Sequence, residues 1–260
     1  MQNPLNRVKE LAGFELVTLD GSAIGTVREV YFDDERWVIR HLVVDTGGWL
    51  SGRHVLVSPH AVKGMDLEAR RLGVALTRQQ VEDAPGTETD RPVSRQYEAR
   101  AYDYYGYPYY WGGSGLWGML DLPLAGAVGP LTVPVADGLD SATRRELQQA
   151  DRGDPHLRSS REVIGYDVAA RDGDIGHVHD FLFDPRSWQI VGVVVDTHNW
   201  LPDRLVLVPP GWVDRVDWSG HRATFRVSRQ AVESSPPYDP QRGLRADEMR
   251  QLQRHFEGMT

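Results

Sequence analysis

LVVDTGGWLSGRHVLVSP, residues 42–59, and VVVDTHNWLPDRLVLVPP, residues 193–210, are two versions of one segment. From there the match runs without a gap over Gly25–Pro85 and Gly176–Pro236, with about forty per cent of positions identical, which marks an internal duplication. Upstream, LDGSAIG (19–25) matches RDGDIG (171–176) with one residue inserted in the first copy, and Gly13-Phe14 matches Gly165-Tyr166.

Each copy reads as short strands divided by turn signals. Asp20-Gly21 and Asp172-Gly173 are hairpin dipeptides, because glycine accepts the positive φ of a tight turn. Alternating strands follow at Gly25–Phe32 and Gly176–Phe183, then branched strands at Trp37–Asp45 and Trp188–Asp196. Pro59 and Pro209-Pro210 end the next strand, since proline gives no donor to a ladder. Thr77 with Gln80 forms a capping box for a short helix; the second copy keeps Ser228 but has Ala231. Even spacing with no long helix between strands predicts a small closed barrel per copy.

The blocks G-x-x-I-G-x-V, F-D-x-x-x-W-x-I, V-V-D-T-x-x-W-L and R-x-V-L-V resemble the PRC-barrel domain, known from the H subunit of purple-bacterial reaction centres and the C-terminus of the ribosome maturation factor RimM. With TDRPVSRQYEARAYDYYGYPYYWGG (89–113) and DPHLRSSREVIGYDV (154–168), nearly all of residues 8–240 resembles bacterial tandem PRC-barrel proteins. The resemblance implies a mainly β protein with two six-stranded barrels in a pseudo-two-fold arrangement, short helices and an irregular aromatic linker. It also implies a habit of holding other macromolecules, often in stress responses. The expected domains are a first barrel (8–98), a Tyr/Trp/Gly-rich linker (99–153) with a helix over Leu139–Ala150 and irregular chain over Asp121–Asp137, a second barrel (154–240) and a C-terminal amphipathic helix (241–260). The membrane helix of the reaction-centre subunit and the N-terminal domain of RimM have no counterpart in these residues.

Composition narrows the function. Thirty-seven acidic against 29 basic residues, a net charge of -8, argues against nucleic-acid binding. The absence of cysteine excludes disulfides, thiolate metal sites and cysteine nucleophiles. Apolar runs of about six residues fall short of the roughly 20 that a membrane span needs. The expectation is a soluble, cytoplasmic binding or scaffold protein. Its partners are proteins, a second copy of the chain among them, and it has no cofactor and no catalytic constellation. The alternatives are a small-ligand or metal sensor using the second barrel, and a peripheral component of a membrane complex.

Six groups of residues stand out. Gly25, Asp45, Thr46 and their counterparts Gly176, Asp196, Thr197 read as structural turn and strand-end residues. His177 and His179, at i and i+2 on one strand, are candidate metal ligands, though the first copy has Thr26 and Arg28 there and no third ligand is visible in the sequence. The DGD at 172–174 lacks the oxygen run of a calcium loop and reads as a turn. Tyr104, Tyr105, Tyr109, Tyr110, Trp111 and Trp117 are candidate partner-binding residues, or else a staple across the barrels. Val38, Leu42, Val44, Val191, Val193 and Val195 lie on strands apolar on both faces, which predicts that the barrels pack through them. Leu244, Met249, Leu252 and Phe256 form one face of the terminal helix.

Overall fold

The computed structural model describes residues 5–50, 52–85, 95–111, 113–123, 156–197, 204–242, 244 and 246–258. The helix expected over Leu139–Ala150 lies outside them. Two compact units emerge, one of residues 11–157 and one of residues 1–10 with 158–260. No described helix is long and apolar enough to cross a membrane.

Fourteen strands are present among the described residues: β1 Asn6–Arg7, β2 Glu15–Thr18, β3 Ala23–Asp33, β4 Val38–Asp45, β5 His54–Val57, β6 Val62–Asp66, β7 Arg71–Val74, β8 Leu157–Ser159, β9 Asp167–Ala170, β10 Gly173–Phe183, β11 Ile190–Asp196, β12 Leu205–Val208, β13 Val213–Asp217 and β14 Arg222–Phe225. The first repeat orders its strands β5-β4-β3-β2-β7-β6 and the second β12-β11-β10-β9-β14-β13. Both are antiparallel except at β2·β7 and β9·β14, which run parallel. The duplication is thus one of topology as well as sequence. The expected closed ring is corrected in one respect. Among the described residues no ladder joins β5 to β6 or β12 to β13; the turns Pro59–Ala61 and Pro210–Trp212 take the chain between them. The proline-bearing turns break the donor row there.

Strain is duplicated too. Among the described residues, the four non-glycine residues of positive φ are Trp37 (56°) with Trp188 (58°), and Arg70 (52°) with His221 (48°), each pair 151 positions apart. Such a backbone costs about 1–3 kcal/mol. Burial of the indoles offsets it: Trp37 stacks on Phe32 at 5.6 Å and Trp188 on Phe183 at 5.4 Å.

The apolar strands fill their own sheets. Leu42 lies opposite Val30 and Val57, and Val44 opposite Val27 and Val55. Val193 faces Phe181 and Val208, and Val195 faces Val178 and Val206. Val38, Leu42, Val44, Val193 and Val195 are buried and Val191 is half-buried. On the other face of β4, Val43 packs with Leu56 and Leu157 beneath Tyr31 and Tyr97, all within residues 11–157. In the other unit, the helix Ala246–Glu257 buries Met249, Leu252 and Phe256, with Phe256 against Trp212 at 6.4 Å.

β1 adds to β10, pairing Asn6 with Phe183 and Arg7 with Leu182. Lys9 N–H donates to Asp180 Oδ1 at 3.0 Å, and Phe181 N–H to the same oxygen at 2.8 Å; Oδ2 has no partner among the described residues. Burial raises this carboxyl to about 6 against the pull of those two amides. The unfolded chain loses the proton near 3.8, whereas the folded chain keeps it to about 6. The stabilising contribution is therefore full at low pH and is lost as pH rises through about 6. Asp180→Asn is expected to raise the melting temperature at pH 7.5 and to flatten its pH dependence between pH 4 and 6.5, measured by thermal scans across that range.

The close approach of β3 to the end of β4 depends on Gly25 (φ 149°), and that of β10 to β11 on Gly176 (φ 135°); a Cβ would fall on the carbonyl oxygen of Asp45 or Asp196 respectively. Gly25→Ala and Gly176→Ala are each expected to destabilise by about 2–3 kcal/mol. Gly21→Ala, where the Cβ meets open space, costs about 1 kcal/mol by conformation alone. Urea unfolding of the three variants checks the contrast.

Candidate functional site

Two places on the structure hold arrangements that the barrel itself does not require. The first is an aromatic segment on the first repeat. A bulge decides where it docks: Tyr31 pairs with His41 and Phe32 with Ile39, leaving Arg40 as the extra residue. Bulges redirect side chains, and here Arg40 reaches the segment that follows the helix Arg95–Tyr105 while His41 reaches the helix itself.

Arg40 is fully buried. Its Nη2 donates to Asp33 Oδ2 at 2.9 Å and its Nη1 to the Leu116 carbonyl at 2.5 Å. Its guanidinium lies 3.9 Å from the centre of the Tyr110 ring and 5.0 Å from that of Trp117. Burial alone would raise the Asp33 carboxyl; the Arg40 charge and the Arg36 and Glu35 amides hold it below its ordinary value instead. Arg36 grips the same segment through three carbonyls, Tyr110 at 3.1 Å and Gly113 and Gly115 at 2.7 Å. His41 Nε2 lies 2.8 Å from Glu98 Oε1, which also accepts from the Tyr110 hydroxyl at 2.7 Å. Tyr102, Tyr107 and Trp117 surround the buried His60 at centroid distances of 6.1, 5.1 and 4.8 Å. Burial raises the Tyr102, Tyr105 and Tyr107 phenols well above their usual value.

The six aromatic residues singled out from the sequence therefore divide. Tyr105, Tyr110 and Trp117 are buried inside the first unit: Arg40 draws in Tyr110, Arg40 and His60 draw in Trp117, and Tyr105 stacks on Tyr107 at 5.5 Å. Tyr109 and Trp111, stacked at 4.5 Å, are half-buried, and Tyr104 is exposed. Beyond them the chain turns back on itself, with Gly115 N–H donating to the Gly118 carbonyl and Trp117 N–H to that of Leu120, both at 2.7 Å. The tip exposes Met119 (82 %), Leu120 (40 %) and Leu122 (45 %).

The second place is on the second repeat. His177 pairs across strands with Asp196, and His179 is the extra residue of a bulge between Val178 and Asp180. The candidate donor atoms of His177, His179 and Asp196 lie within 4.8 Å of one another, with His177 Nε2 3.7 Å from Asp196 Oδ2. Burial and the charges of Lys9 and His177 push the His179 imidazole below its ordinary value, against the opposing effect of Asp196. In the first repeat, Arg28 Nη1 stands 3.0 Å from His54 Nε2, and His54 Nε2 is 3.9 Å from Asp45 Oδ2.

The strand-end residues serve the turns. Asp45 Oδ1 accepts from Gly47 N–H at 2.8 Å, while Thr46 Oγ1 donates to the Arg53 carbonyl at 2.7 Å and Thr197 Oγ1 to that of Arg204 at 2.8 Å. A cleft of about 200 Å³ beside the C-terminal helix, lined by Leu207, Pro237, Tyr238, Glu248 and Leu252, is smaller than the roughly 300 Å³ at which ligand pockets begin.

A family model of the PRC-barrel domain matches residues 4–80 and 155–228, one match on each repeat. The chain belongs to the PRC-barrel family. No curated protein matches it with significance. Against the shared PRC-barrel frame the two repeats differ at the docking positions: Arg36 and Arg40 are matched in the second copy by Ser187 and Val191. This difference was the signal available in the sequence, a charged residue within a branched strand of one copy only.

Arg40→Met is expected to destabilise the protein by about 3–5 kcal/mol, because it leaves the Asp33 carboxylate buried without its counter-ion. The double variant Arg40→Met/Asp33→Asn is expected to recover a large part of that loss. Chemical denaturation of the two variants checks both.

Proposed function

We propose that this protein is a non-enzymatic binding module that assembles with another protein through the apolar tip of its aromatic segment. The observation that carries the reading is the exposure of Met119, Leu120 and Leu122 on a turn whose backbone Arg36 and Arg40 hold from beneath. Apolar side chains in water are costly to leave grouped, and contiguous ones mark interaction surfaces. A backbone already held in place loses little conformational freedom on binding. The half-buried Tyr109 and Trp111 supply the rigid aromatic area that interfaces favour. The buried ionisable groups of the same unit support a non-catalytic role: Asp33 is bonded to Arg40, and Glu98 to His41 and Tyr110. In this reading the protein acts in the bacterial cytoplasm and in stress responses.

A photocrosslinking residue at position 119, introduced in the producing cell, tests the reading. One protein adduct, lost when Leu122→Asp is added and not formed from a probe at the exposed Leu19, is the expected result. An adduct pattern identical at 119 and 19 would remove the tip from the function. Once the partner is in hand, Leu122→Asp is expected to weaken binding by about tenfold or more.

A further inference from the structure

We propose that His177, His179 and Asp196 form a binding site for a divalent transition-metal ion, with zinc the natural probe. The argument begins with donor type. Two imidazoles and one carboxylate are a ligand set for zinc and its neighbours in the first transition row; magnesium and calcium prefer all-oxygen sites. The proposal goes beyond the binding role above, which concerns the other repeat.

Geometry brings the set together. Antiparallel register places His177 directly opposite Asp196, and the bulge delivers His179 to the same spot. Ligands about 2.1 Å from a tetrahedral ion stand about 3.4 Å from one another. The His177–Asp196 separation of 3.7 Å is already close to that, and the outer limit of 4.8 Å closes by side-chain rotation alone. The side chains of His177 and Asp196 keep 40 % and 26 % of their surface in water, so an ion has a path in. Three protein donors leave a coordination position for water or for a donor from another molecule.

The first repeat serves as an internal control. It keeps the aspartate, Asp45, and holds His54 3.9 Å from it. A cross-strand histidine–aspartate pair is therefore compatible with this sheet without any metal. The imidazole pair makes the difference: where the second repeat has His177 and His179, the first has Thr26 and Arg28, and its His54 comes from the neighbouring strand and stands 3.0 Å from the Arg28 guanidinium. A fixed cation occupies in one copy the side of the strand where the other offers a second neutral donor. Since the first copy forms the same sheet without the triad, the metal is an addition to the fold and its binding is reversible.

Titration calorimetry of the untagged full chain with zinc chloride tests the proposal, with cobalt absorption reporting the ligand set. One zinc per chain, with affinity weakened at least about tenfold by His179→Ala and also by Asp196→Asn, is expected. His179 lies at the surface of its strand, and circular dichroism shows whether each variant stays folded; Arg28→Ala in the first repeat should leave the affinity unchanged. Absence of zinc binding by the parent protein up to millimolar zinc would overturn the site. So would a folded His177→Ala/His179→Ala protein that binds zinc as the parent does.

Discussion

A buried guanidinium organises the first repeat. Arg40 sits in the middle of a branched strand, where the second repeat has Val191. Removing such a group from water costs several kcal/mol unless its hydrogens and charge are answered. Asp33 answers the charge, the Leu116 carbonyl takes a hydrogen, and the faces of Tyr110 and Trp117 close over the plane. Only Nε is left without a partner among the described residues. The aromatic segment is thus more than a connector. Its backbone and rings complete the solvation of a charge that the sheet by itself would leave bare, and the requirement fixes which of its side chains point inward and which remain in water.

The two repeats share what the fold demands and diverge where it demands nothing. The parallel pair beside the long hairpin, the left-handed tryptophan and its phenylalanine, and the threonine that ties the end of one strand to the start of the next recur with their geometry intact. The bulges recur as well, yet their extra residues differ: Arg28 and Arg40 in one copy, His179 and Val191 in the other. A bulge breaks no other pairing and redirects one side chain. It is therefore a place where duplicated sheets can acquire separate properties, an aromatic surface on one and a pair of imidazoles on the other.

Much of the frame was legible from local chemistry. Gly25 and Gly176 stand where only a missing Cβ permits the approach of a neighbouring carbonyl. Thr77 and Gln80 form the reciprocal cap that their spacing announces. The PRC-barrel likeness followed from matching blocks. The candidate sites were less legible because they join residues distant in the chain. Glu98 meets His41 across 57 positions, and Arg36 reaches Gly113 across 77. His177 and His179 were visible as a pair, but Asp196 belonged to a turn until strand register set it opposite His177. The bulge that makes Arg40 an extra residue of its strand has no local sequence mark. The closed ring was inferred from even strand spacing, which does not say whether the proline turns at 59 and 209–210 leave the last ladder open.

Amide hydrogen exchange tests the central claim most directly, comparing the parent protein with Arg40→Met. If the guanidinium anchors the aromatic segment, the amides of Gly106, Tyr107, Gly115 and Trp117, all of which donate to backbone carbonyls, are slow to exchange in the parent. In the variant they become fast while β9–β14 keep their protection. Rapid exchange of those four amides in the parent, or unchanged protection in the variant, would contradict the account.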